Sequence, residues 1–71
     1  MIDLNYVRDI IGNEYRRTVS LSDYDVEEII KIAEKECLEN NINTKLSEDD
    51  DENEDLFYAI CFAIEKYCHL T

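Results

Sequence analysis

The chain predicts an all-α fold, a small three-helix bundle with the third helix central, and three observations carry that expectation. One glycine and no proline in 71 residues leave few chain breakers. Long segments on either side of Asn40 carry apolar residues at helical spacing. Hydrophobic residues make up 45% of the chain, with five Tyr and two Phe, too much apolar surface for a chain disordered throughout. This length allows one domain, residues 1–71. Chains of this size bury only about 60% of the surface exposed by their unfolded form, so dimerisation is one common remedy for marginal stability.

The first helix is expected near residues 3–11. Leu4, Val7, Ile10 and Ile11 recur at helical spacing, Asp3 is placed to cap the start, and Gly12 sits where a helix would stop. Tyr15 to Leu21 alternates in places, but Arg17 spoils the apolar face. Both this stretch and its only possible partner, Ile42–Ser47, are read as loops. The alternative is an α+β fold with a short two-stranded pairing of residues 15–21 and 42–46.

The second helix is the clearest. Ser22 with Asp25 resembles a capping box, and Asp23, Asp25, Glu27 and Glu28 load the first turns, where the helix dipole favours anions. Val26, Ile29, Ile30, Ala33, Cys37 and Leu38 form an apolar stripe, Glu27 and Lys31 are ordered for an i,i+4 pair, and Asn40 and Asn41 end the helix. For the third helix Ser47 is the expected cap. Leu56, Ile60, Ala63 and Tyr67 form one apolar row, and Phe57, Cys61, Ile64 and Cys68 another. Tyr58 and Phe62 extend the apolar surface to a third side, whose cover is either a second chain, giving a homodimer through these two residues, or the looped segment around Tyr15 and Val19.

Charge is the outlier: 18 acidic against 7 basic residues give a net charge of −11. Such a field repels phosphates and anionic membranes and attracts basic protein surfaces. Direct binding of nucleic acid or membrane is therefore not expected, and a basic protein is the expected partner. The blander explanation of the acidity is solubility. Arg8, Arg16 and Arg17 are the one dense cationic group, expected to bridge neighbours such as Asp9 and Glu14.

Neither a metal nor another cofactor is expected. Cys61 and Cys68 lie about two helical turns apart, roughly 10 Å, too far for a disulfide. They, Cys37 and His69 lack the paired spacing of a zinc site. A calcium-loop frame starting at Asp49 places Asp51 and Asn53 correctly, but Glu54 falls where Gly is required and Ile60 at the twelfth position. With no phosphate loop or nucleophile constellation in sight, the chain reads as a non-enzyme. Met1–Gly12 carries no basic region followed by an apolar one, and the longest apolar run, Leu56–Ile64, is far short of the roughly 20 residues that span a bilayer. A reducing cytoplasm with free thiols is the expected setting.

Two functions fit. In the first, carboxylates occupy a basic surface built for nucleic acid, drawn from Asp23, Asp25, Glu27 and Glu28 on the second helix and from Glu48, Asp49, Asp50, Asp51, Glu52, Glu54 and Asp55 ahead of the third. Size, charge and helicity together are similar to small acidic inhibitors encoded by phages and other mobile elements, such as DNA mimics and anti-CRISPR proteins. No family motif accompanies that similarity. In the second, Tyr58 and Phe62 dock into a partner, as in an antitoxin-like or adaptor module, and the acids set on-rate and solubility.

Overall fold

The computed structural model describes residues 2–15 and 21–68. Three α-helices form the fold: α1 (Leu4–Glu14), α2 (Asp23–Glu39) and α3 (Glu54–Cys68), with a 3-10 turn, Asp50–Asn53, leading into α3. The architecture is the expected all-α three-helix bundle. No strand occurs among the described residues, and 42–46 run as irregular chain. Residues 16–20, which include Arg16, Arg17 and Val19, lie outside the described residues, as does His69.

Each helix starts where a side chain meets its orphan N–H groups. Asp3 accepts from the backbone N–H of Asn5 and Tyr6 and opens α1. The capping box of α2 is complete: Ser22 Oγ accepts from Asp25 N–H, and the Asp25 carboxylate accepts from Ser22 N–H at 3.1 Å. That helix closes in a Schellman arrangement. Asn41 takes φ 56°, and Ile42 N–H reaches back to Cys37 C=O at 2.8 Å. The turn seats Ile42 against the core.

Three local expectations fail. Gly12 does not end α1, which runs on to Glu14 with Tyr15 as its C-cap. Nothing lies within 4 Å of where a Cβ at Gly12 would sit, and the helix is held through it by Val7 and Ile10 in the core and by Ile11 and Tyr15 packed against it. Gly12→Ala is therefore expected to raise stability by about 0.5–1 kcal/mol, read as a higher urea midpoint at unchanged slope. Leu38 leaves the stripe and stands 80% exposed, because it lies about 100° around the helix from buried Cys37. Lys31 pairs with Glu28 at 3.7 Å, one turn back, in place of Glu27.

The core is wholly apolar among the described residues. α2 contributes Val26, Ile29, Ile30, Ala33 and Cys37; α3 contributes Leu56, Ala59, Ile60, Ala63 and Ile64; Ile2, Val7 and Ile10 complete it. Small residues at 33, 59 and 63 let the two long helices approach closely, and theirs is the most extensive contact. α2 and α3 each pack against both other helices, and α1 leans more on α2 than on α3, so the expected central place is shared between the two long helices. No helix among the described residues is long and apolar enough to cross a membrane.

Candidate protein-binding site

The acidic run is folded. Ser47 does not cap α3 as expected, because the 3-10 turn intervenes and Asp49 caps that turn through a 3.0 Å bond from Asp51 N–H. Ser47 instead clasps the far side of the loop. Its N–H donates to Asn53 Oδ1 at 2.8 Å, and Asn53 Nδ2 donates back to Ser47 C=O at 2.8 Å. Its hydroxyl donates to Glu52 Oε2 at 2.6 Å and accepts from Asp49 N–H at 3.2 Å. One serine thus ties both ends of the turn together, and Leu56, buried in the core, anchors the run to the scaffold. Glu54 and Asp55 occupy the first turn of α3, where the aligned peptide dipoles offset negative charge.

The eleven candidate carboxylates divide by what they already hold. Asp25 faces inward: Tyr67 Oη donates to its Oδ1 at 2.6 Å and Ser22 Oγ to its Oδ2 at 3.0 Å. Asp23 is paired with Arg8, which thereby ties α1 to α2 and does not serve the expected Asp9 or Glu14. Glu28 holds Lys31, and Glu52 and Asp49 are engaged in the turn. Glu27, Glu48, Asp51, Glu54 and Asp55 are exposed and make no side-chain ion pair or hydrogen bond among the described residues. The Asp50 side chain lies outside them.

The Asp25–Tyr67 bond joins the start of α2 to the end of α3 across 42 residues of sequence. Tyr67, followed by Ser22, holds the Asp25 carboxyl below its ordinary value, and Asp25 pushes the Tyr67 hydroxyl up to about 12. A depressed carboxyl pKa stabilises the fold above its unfolded value and ceases to do so as pH falls through the folded one. For the tyrosine the stabilisation is complete below its ordinary 10.0 and is lost as pH rises toward about 12. Tyr67→Phe is therefore expected to lower the melting temperature at pH 7. The gap to the wild type should close in acid below the ordinary carboxyl value of 3.8 and again in strong alkali. Melting curves at pH 2.5, 7 and 11.5 check it.

The aromatic pair stands where expected. Tyr58 is 60% and Phe62 46% exposed on the outer side of α3. Lys66 lies over the Phe62 ring at 5.8 Å, and Phe57 meets Tyr58 edge to face. An open groove of about 390 Å³ runs between α2 and α3 beside them, lined by Glu36, Asn40, Ile42, Tyr58, Ala59 and Phe62.

The cysteines are free and packed into or against the core. Burial raises all three thiols, so their reactive thiolate form is disfavoured at neutral pH. Tyr15 is raised by burial and by its hydrogen bond with Cys61, a contact that fastens the end of α1 to α3. Among the described residues no group of three or more His, Cys, Asp or Glu side chains could hold a metal ion.

Sequence reasoning missed the Asn53 clasp and the inward turn of Asp25. Asn53 had a local signal, an amide embedded among carboxylates, whereas the partner of Asp25 lies too far along the chain for any spacing rule. In comparisons with family models, curated proteins and solved structures, the chain matches none.

Proposed function

We propose that this protein is an acidic inhibitor that binds a basic surface of a nucleic-acid-handling protein and excludes nucleic acid from it. The observation that carries the reading is the ordered acidic turn. The side chains of Glu48, Asp51, Glu54 and Asp55 make no hydrogen bond or ion pair among the described residues, while Ser47, Asp49 and Asn53 hold the backbone that carries them. With the backbone fixed in advance, only side-chain freedom is left to lose on meeting lysines and arginines, so more of the electrostatic attraction appears as affinity. Glu27 on α2 adds a further exposed anion, and the net charge of −11 steers encounter with a basic target.

One observation favours a second reading: the exposure of Tyr58 and Phe62 suits docking through apolar contact, with charge affecting mainly the rate. Salt and duplex DNA separate the two. Immobilised protein is challenged with lysate at low salt, and the retained proteins are eluted with increasing sodium chloride or with duplex DNA. The inhibitor reading expects nucleic-acid-binding proteins that both eluants release. Retention that is flat with salt and indifferent to DNA overturns it and supports the apolar reading.

A further inference from the structure

The outer line of α3 is Asp55, Tyr58, Phe62 and Lys66, spaced three, four and four residues apart so that all share one face. All four are exposed. The line is acidic at one end, basic at the other and aromatic in the middle. Turned end for end, it matches itself. We infer that this face is covered by a second copy of the chain, with the two α3 helices antiparallel about a two-fold axis between positions 60 and 61. In that register Asp55 falls opposite Lys66 of the second copy, and Tyr58 lies within one residue of its Phe62. Each contact occurs twice, as an isologous interface requires.

The surface beside the line suits this occupant. The groove of about 390 Å³ between α2 and α3 offers Ile42 and Ala59 to an incoming aromatic ring. A second recess of about 210 Å³ lies beyond Phe62, with Ile32 in its wall and Lys35 and Lys66 at its rim beside Glu36 and Glu39. Along the exposed line itself, α3 reversed brings the complementary sign to each end, Lys66 to Asp55 and Asp55 to Lys66. The inference shares Asp55 with the inhibitor reading but does not rest on it, and salt distinguishes them. Two chains of charge −11 repel at long range, and screening from about 10 Å at 0.1 M to about 3 Å at 1 M salt relieves that repulsion. Self-association should strengthen with salt, whereas capture of a basic target should weaken.

The test is sedimentation equilibrium of the full chain and three variants at 0.1 and 0.5 M sodium chloride, with helicity checked by circular dichroism. The wild type is expected to show a concentration-dependent mass rising toward two chains. D55K and K66E each place like charges at both ends of the interface and should weaken the dimer about tenfold or more. The doubly substituted D55K/K66E chain should recover it. An equimolar mixture of the D55K chain with the K66E chain should form a heterodimer, an outcome that mere weakening of α3 cannot produce. A wild type that stays a single chain at high micromolar concentration in both salts overturns the inference, as does failure of both the double variant and the mixture to associate.

Discussion

Ile60→Ala should remove about 2–5 kcal/mol of stability and lower the melting temperature by roughly 10–30 °C. Ile60 is fully buried in the middle of α3 and belongs to the apolar cluster that α2 and α3 build together. Truncating it forfeits both the transfer free energy of the lost methylene and methyl groups and the contacts around the cavity left behind. A domain of this size is expected to hold only about 4–10 kcal/mol in total, so the variant should be partly unfolded at 37 °C. The matched control is Leu38→Ala. That side chain is 80% exposed, and its removal should change stability by no more than about 0.5 kcal/mol. Chemical denaturation of the two variants side by side checks the packing of α3. Equal effects would mean that the apolar stripe has been placed on the wrong face.

A triple substitution, Glu48→Gln, Asp51→Asn and Glu54→Gln, is expected to weaken binding to the basic target about 100-fold while leaving the fold intact. These three carboxylates are exposed and make no internal ion pair or hydrogen bond among the described residues, so their neutral analogues disturb no contact. Each, engaged with a lysine or arginine, contributes on the order of 1 kcal/mol, and about 3 kcal/mol corresponds to about two decades in Kd. Stability should change little, because relief of self-repulsion as the net charge of −11 is reduced by three offsets the favourable place that Glu54 gives up in the first turn of α3. Asp49, Glu52 and Asn53 are left in place because they hold the turn. Titration calorimetry with the captured target reads the change. A variant that binds as well as the wild type would show that the acidic turn is not the contact.

What was legible in the sequence was whatever depends on neighbours within one or two helical turns. The capping box of Ser22 and Asp25, the closing asparagines and the buried positions of α2 follow from local spacing and local hydrogen bonding. Gly12 was misread because its intrinsic cost, about 1 kcal/mol, is smaller than the packing that carries α1 past it. Leu38 was misread because an apolar residue beside a stripe belongs to it only if another helix passes there. Ser47 has the chemistry of a cap, but an amide six residues on competes for its backbone and wins.

The same limit shaped the reading of the site. Charge and composition pointed to the acidic run and to Tyr58 and Phe62, and the structure presents both at the surface. They did not indicate which carboxylates are already spoken for. Asp25 is claimed by Tyr67 from the far end of the chain and Asp23 by Arg8 from α1, contacts that exist only once the helices are packed. The eleven candidates therefore reduce to those that the fold leaves unpaired.

All of this depends on residues 48–55 forming a fixed surface and not a waving tail. Backbone nitrogen-15 relaxation across that stretch measures it most directly. The bonds from Ser47, Asp51 and Glu52 N–H to Asn53 Oδ1, Asp49 Oδ1 and Asp49 C=O predict order parameters near the ~0.85 of rigid backbone. Values below about 0.6 throughout, with amides exchanging at unprotected rates, would contradict the account.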